Sequence, residues 1–258
     1  MRLAVYSKNN LKGNSAKTLL TSDLISLGHD VVELDDISNL QGFDCLLVFG
    51  GDGTMLYSAT HADCPILGIN LGNVGFLAQY ESNVTASKLV DSIKSGQYET
   101  KPLLKTCLGG EELLSLNDFV VKTTSPRPIY LSVRVNGVFV DKYHADGLII
   151  ATPVGSTAYS LSAGGPIVSP DVDAIIINPI CAHSLHSRPL IVSGESRIEI
   201  EIEGDKAVLV ADGREQIDLN NTSVIQIAKS EKVAKFVCDS NNFYNKLLEK
   251  MNKWGVTI

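Results

Sequence analysis

The sequence has no pair of cysteines spaced C-x-x-C. Cys45, Cys64, Cys107, Cys181 and Cys238 are odd in number and widely scattered, which fits a reduced cytoplasm and not a disulfide framework. Positive charge is also scarce. With 22 basic against 29 acidic residues, the net charge is −7, so the chain lacks the broad basic footprint of a nucleic-acid-binding protein. An anionic ligand would have to be held locally, by backbone amides and a few cations. Long apolar runs are missing too. The start is only briefly apolar before Ser7-Lys8-Asn9-Asn10, too short for a signal peptide, and no later run approaches the ~20 residues of a membrane span. The chain therefore reads as a soluble, cytoplasmic protein with no membrane partner, and it shows no repeat, low-complexity tract or linker. Two common phosphate-binding sequences are absent. No G-x-x-x-x-G-K-[ST] occurs, and Leu56 stands where the dinucleotide fingerprint after Gly51-x-Gly53 needs its third glycine.

The chain length of 258 residues and the 44% hydrophobic content suffice for one large domain or two small ones with a buried core. The first hundred residues alternate strand and helix signals. Strands are expected at 3–6, 31–34, 44–49 and 65–70. Helices are expected at 15–27, with Leu19, Leu20, Leu24 and Leu27 as the apolar positions and Gly28 closing it, at 54–62, and at 84–94, stopped by Gly96. Such alternation predicts a parallel sheet with helices on its faces. From about Pro102 the texture changes to short β-branched runs. One of them turns at Asn136-Gly137, a hairpin signal, and the run Glu199-Ile200-Glu201-Ile202-Glu203 reads as a sheet face with Ile inward and Glu solvated. Helix returns at the end, where Phe243, Leu247, Leu248 and Met251 share one face that is expected to dock on the first domain. The expected fold is an α/β N-terminal domain with a parallel sheet (1–100 with 238–258) and a β-rich C-terminal domain (101–237).

Three segments carry polar groups suited to chemistry. Gly50-Gly51-Asp52-Gly53-Thr54 follows a buried strand and opens a helix, which places Asp52 at the carboxyl end of a parallel strand. Ligands of open α/β sheets bind there, and glycines let backbone N–H groups approach phosphate oxygens. In phosphoryl transfer to a hydroxyl, a carboxylate at that point accepts the proton. A tight turn in which Asp52 only caps the helix accounts for the same residues equally well. The second segment, 146–166, runs from Asp146-Gly147 through Thr152-Pro153-Val154-Gly155-Ser156-Thr157-Ala158-Tyr159-Ser160-Leu161-Ser162 to Gly164-Gly165-Pro166. Its hydroxyls offer donors and acceptors to a ribose and base, and Tyr159 offers a ring; the alternative is a Ser/Gly turn between strands. The third is Asn117-Asp118, either a ribose-diol acceptor or an Asx turn. His144 is either a ligand contact or a strand histidine. Cys181, His183 and His186 match no usual zinc spacing. Arg188 either braces a site or pairs at the surface.

Taken in order, these motifs resemble the NAD kinases over nearly the full length. Gly50–Thr54 is similar to that family's G-G-D-G-T motif, and Asn70-x-x-x-x-Gly75-Phe76-Leu77 to its N-x-x-x-x-G-F-L segment. The run 146–166 is similar to its long hydroxyl-rich signature, and His183-Ser184-Leu185, Arg188-Pro189 and Asp212-Gly213 recur in the family's order. The resemblance implies an active site between the two domains that transfers phosphate from ATP or polyphosphate, with Mg²⁺ or another divalent cation, to NAD as substrate. It implies Asp52 as proton acceptor with Gly53 beside it, Asn117 and Asp118 holding NAD, and Asp146 with His144 contacting ligand. It further implies Thr157, Ala158, Tyr159, Ser160, Leu161 and Ser162 around the adenosine, Cys181 near a ligand, Asp212 and Phe76 in the cleft, and a homo-oligomer, dimer or tetramer. Two departures stand out. Many members have Asn-Glu where this chain has Asn117-Asp118, and Val154 replaces the second threonine of T-P-T-G-S-T. Diacylglycerol kinases and phosphofructokinases carry related G-G-D-G loops, but not the second signature.

Overall fold

A computed structural model describes residues 1–8, 14–71, 75–219, 223–238 and 243–254. The chain forms two compact units, Met1–Lys101 with Ala234–Ile258, and Pro102–Val233. In chain order the elements are β1 (Arg2–Ser7), α1 (Ser15–Ser26), β2 (Asp30–Leu34), β3 (Cys45–Phe49), α2 (Asp52–His61), β4 (Ile66–Asn70), β5 (Tyr80–Glu81), α3 (Ala86–Ser95), β6 (Tyr98–Leu108), β7 (Glu111–Ser115), β8 (Asp118–Thr123), β9 (Ile129–Val135), β10 (Val138–Ala145), β11 (Gly147–Ala151), α4 (Tyr159–Ser162), β12 (Ala174–Ile180), β13 (Leu190–Ser193), β14 (Ile198–Glu203), β15 (Ala207–Ala211), β16 (Glu215–Leu219), β17 (Val224–Val237) and α5 (Phe243–Trp254).

In the first unit the strands stand in the order β17-β4-β3-β1-β2, and the pairs β1·β2, β1·β3, β3·β4, β4·β5 and β17·β4 are parallel. Every residue of β3 and β4 is buried, which explains their apolar sequences, broken only by Asn70 at the end of β4: helices cover both faces of a parallel sheet. Asn14 caps α1 through Oδ1, accepting from the N–H groups of Ala16 and Lys17, and Gly96 ends α3 in the left-handed region at φ 63°.

Two helical faces differ from the sequence expectation. On α1 the inward residues are Lys17, Leu20 and Leu24, whereas Leu19 and Leu27 are exposed. Leu19 lies about 100° around the helix from Leu20, and Leu27 falls beyond the last turn. Lys17 is 1% exposed, with its ammonium 2.9 Å from Glu33. On α5, Leu248 and Met251 are exposed, while Lys246 and Leu247 turn inward.

The second unit is a sandwich of two antiparallel sheets. One runs β10-β9-β14-β17 and the other β13-β12-β11-β8-β15-β16. Alternate residues of both sheets, including Phe119, Val121, Leu131, Val133, Leu148, Ile150, Ile198 and Ile200, form its core. On β14 the isoleucines face inward and Glu201 and Glu203 are exposed, as the alternation predicts. Asn136 and Gly137 both adopt positive φ, 51° and 79°, the geometry of a tight β9–β10 hairpin turn. The opposite face of the second sheet is also covered at β11, where Ile149 and Ala151 pack with Val120, Val168 and Ile176.

Candidate active site

In the first unit β3 delivers the chain into Gly50, whose φ of 156° and contact with Thr54 leave no room for a side chain. Gly51 caps α2, which begins at Asp52, two residues earlier than the periodicity predicted, so that Asp52 occupies the first helical position. Its carboxylate accepts two backbone hydrogen bonds, from Phe76 N–H to Oδ2 (3.1 Å) and from Leu77 N–H to Oδ1 (3.2 Å). Gly53 is exposed beside it.

The 75–78 segment is fixed on every side. A Cβ on Gly75 would overlap the Asp52 carboxylate. The Leu77 carbonyl accepts from Gln79 Nε2 (2.7 Å), and Gln79 Oε1 accepts from Gly68 N–H (2.6 Å), tying the segment to β4. Gly75→Ala is therefore expected to swing the short Asp52 side chain aside at little cost in stability. Turnover should fall roughly 100-fold, the penalty for misplacing a reacting group by about 1 Å. Parallel measurements of kcat and melting temperature check this; a large loss of stability with unchanged kcat would contradict it.

In the second unit a cavity of about 210 Å³ is lined by Asn117, Asp118, Val120, Lys122, Ala158, Tyr159, Val210, Asp212 and Gly213. Along β8 the period of two sends Asp118, Val120 and Lys122 to this side, while Phe119 and Val121 enter the core. Asp212, held at φ 49°, organises the strand entry. Its carboxylate accepts from Ser115 Oγ (2.6 Å) and from the N–H groups of Leu116 (2.9 Å), Asn117 (2.7 Å) and Asp118 (3.2 Å). Burial raises the Asp212 carboxyl, and those four donors oppose the shift. Asp118 is 4% exposed, and burial, with Asp212 adding to it, pushes its carboxyl up to about 7. Asp118 is thus poised to change charge near neutrality, beside an Asp212 that gathers four donors.

The hydroxyl-rich segment after β11 is locked onto the same strand entry. Thr152 N–H donates to Asn117 O (2.9 Å) and Thr152 Oγ1 to Leu116 O (2.6 Å), and a side chain on Gly155 would strike the Asn117 backbone. Ser156 Oγ donates to Pro153 O (2.6 Å) and accepts from Val168 N–H (3.1 Å). Of the residues expected around the adenosine, Ala158 and Tyr159 line the cavity. Thr157, Leu161 and Ser162 do not line it, and Ser160 is fully buried, its carbonyl accepting from Asn178 Nδ2 (2.9 Å).

Elsewhere in this unit, His144 on β10 lies opposite Tyr130, their rings stacked at 4.4 Å, with the His183 ring edge-on at 4.8 Å. Asp146 is exposed, its N–H donating to Ile180 O. Cys181 adopts φ 48° on the surface, and Arg188 donates to the carbonyls of Leu185 and Ser187. Lys122, Val120 and Val210 were not singled out from sequence, although the alternation from Asp118 onward points to the first two. Among the described residues no group of three His, Cys, Asp or Glu is gathered as a metal site.

The architecture is the two-domain NAD kinase fold. A crystal structure of an NAD kinase from Archaeoglobus fulgidus in complex with ATP superposes with a TM-score of 0.87 at 33% identity, covering 98% of this chain and 99% of that one. Yeast NADH kinase complexed with NADH shares the fold, with a TM-score of 0.81 at 24% identity over 100% of this chain and 89% of that one. Residues 7–98 match the ATP-NAD kinase N-terminal domain and residues 116–238 the ATP-NAD kinase C-terminal domain. An NAD kinase of Methanothermobacter thermautotrophicus is 40% identical over 230 residues, 86% of this chain and 81% of that protein. The chain belongs to the NAD kinase family of phosphotransferases.

Proposed function

We propose that the protein phosphorylates the 2′-hydroxyl of the adenosine ribose of NAD, using ATP or another phosphoryl donor as its Mg²⁺ complex, with Asp52 as general base. The observation that carries this reading is the Asp52 carboxylate, held by two backbone amides at the N-terminus of α2 beside an open glycine turn. Asp52 takes the 2′-hydroxyl proton as the oxygen bonds to the terminal phosphorus of the donor. The bond from that phosphorus to its bridging oxygen breaks, the shortened donor leaves, and the proton passes from Asp52 to solvent. The protein's own contribution is positioning and charge stabilisation, with the amides at Gly50–Gly53 facing the donor phosphates.

In the second unit Asn117, Asp118, Ala158 and Tyr159 share one cavity, which supports their role in holding NAD, with the Asp118 carboxylate accepting from ribose hydroxyls. Thr157, Ser160, Leu161 and Ser162 shape that wall, Ser160 from behind it; His144 and Asp146 contact ligand from the β10 end. Five free cysteines support a reducing compartment, the cytoplasm, and the family resemblance a homodimer or tetramer. No helix among the described residues is long and apolar enough to cross a membrane. Incubation with NAD, Mg²⁺ and a panel of ATP, other nucleoside triphosphates and polyphosphate is expected to yield NADP with at least one donor. Diacylglycerol and fructose 6-phosphate run in parallel should stay unmodified. NADP absent with every donor would replace the kinase by a non-catalytic NAD-binding protein.

A further inference from the structure

α5 contributes one inward cation that the reaction just described does not use. Lys246 Nζ donates to Phe76 O (3.2 Å) and to Ala78 O (2.7 Å). The carbonyl of Phe76 and the N–H of Leu77 belong to one peptide group. That group therefore receives the ammonium on its oxygen and gives its hydrogen to Asp52 Oδ1 at 3.2 Å. A cation on the oxygen side of a peptide polarises it and strengthens the bond its N–H makes, and in a low-dielectric site such chains reinforce one another. The carbonyls at 76 and 78 accept from Lys246 and that at 77 from Gln79, while the amides of 76 and 77 donate to the carboxylate. Burial and the nearby Lys101 lower the Lys246 ammonium from its usual range, while Glu99, Asp52 and Cys238 raise it.

We propose that Lys246 is a positioning residue for Asp52, acting through the 76–78 backbone: it polarises the Phe76–Leu77 peptide, whose N–H bonds Asp52 Oδ1, and through Ala78 O it holds the segment that also carries the Phe76 N–H. The inference rests on Asp52 being the general base. A plain docking contact for α5 would use the same two hydrogen bonds, but would not couple to turnover.

The test uses the full chain with Lys246→Met, Lys246→Gln and Lys246→Arg, reading amide hydrogen exchange at Phe76 and Leu77 together with kcat and KM for NAD. In the Met protein, exchange at those two amides is expected to accelerate at least tenfold while the β3 and β4 amides keep their protection. Its kcat should fall about 10- to 100-fold with KM within about twofold, and Arg should restore most of the loss. If Met prevents folding, the Gln protein, which keeps a donor without the charge, is read against the same expectations. Unchanged exchange with unchanged kcat overturns the proposal, as does a fall in stability alone with kcat intact. If exchange accelerates but kcat does not change, Asp52→Asn tells which idea has failed. An inactive Asn protein removes only the role of Lys246, whereas an active one removes the general base itself.

Discussion

Asp52→Asn is expected to lower turnover by roughly 10²–10⁴-fold, the usual worth of a general base, while leaving the dissociation constant for NAD within a few-fold of the unmodified protein. The separation of the two effects comes from the geometry. Both Asp52 oxygens accept backbone N–H groups, so asparagine keeps one acceptor in place but turns its amide toward the other donor. One N–H loses its partner, a local cost of about 1–3 kcal/mol, and α2 still starts at the same residue. The proposed acceptor of the 2′-hydroxyl proton is gone, but the cavity beside Asn117 and Tyr159 is untouched. Single-turnover formation of NADP and calorimetric titration with NAD separate chemistry from binding. Near-normal turnover in the variant would remove Asp52 from the mechanism, and a lost affinity with normal turnover would recast it as a binding group. Gly75→Ala should resemble Asp52→Asn in direction, because it displaces the same carboxylate.

The parts of the fold readable from sequence were those where one physical constraint dominates a short window. A parallel strand covered on both faces is apolar through its middle, and so the runs Cys45–Phe49 and 66–69 stand out. A chain that turns straight from such a strand into a helix needs glycine, which marked Gly50 and Gly51. The Asn136-Gly137 turn was legible because only a few residues accept positive φ at two successive positions. Lys17 hid the true face of α1, since a lysine is rarely fully buried and the apolar pattern was drawn through Leu19 instead.

Asp52 and the Asn117-Asp118 pair stand out in the sequence because polar residues at strand ends are conspicuous. Of their partners, Asp212 is reached only through the family resemblance, and Lys246 by no signal in the sequence. Asp212 serves Asn117 and Asp118, and Lys246 serves the segment holding Asp52, across long stretches of chain, and such pairings leave no local periodicity. The hydroxyl density after β11 was equally ambiguous. Turn chemistry and ligand chemistry use the same residues, and the Thr152 and Ser156 hydroxyls donate to backbone carbonyls.

Asp118→Asn is expected to make the protein more stable and a weaker binder of NAD, with the stability gain growing from about pH 4 to 7 and complete above that. Burial first, and the charge of Asp212 second, push the Asp118 carboxyl from 3.8 up to about 7 in the folded protein. Between these values the folded chain retains a proton that the unfolded chain releases. Each pH unit of that window therefore costs the folded state about 1.4 kcal/mol, and stability falls as pH rises from about 4 to 7 before levelling off. The accumulated penalty approaches about 4 kcal/mol at pH 8. An asparagine side chain never ionises, so the variant escapes the penalty, and the amide matches the protonated carboxyl in shape and in presenting both a donor and an acceptor. Denaturant unfolding should show a gain of roughly 2–4 kcal/mol at pH 8, shrinking to nothing at pH 4. The opposing effect is on the ligand. An ionised carboxylate accepts from ribose hydroxyls with charge-assisted bonds worth about 1.5–3 kcal/mol, so affinity for NAD should fall about 10- to 100-fold at pH 8. A variant whose stability parallels the unmodified protein from pH 4 to 8 would show that Asp118 is ionised throughout. Buried beside a second carboxylate, Asp118 is a strained choice for stability alone; the gain from asparagine at pH 8 measures how much stability the ribose site gives up.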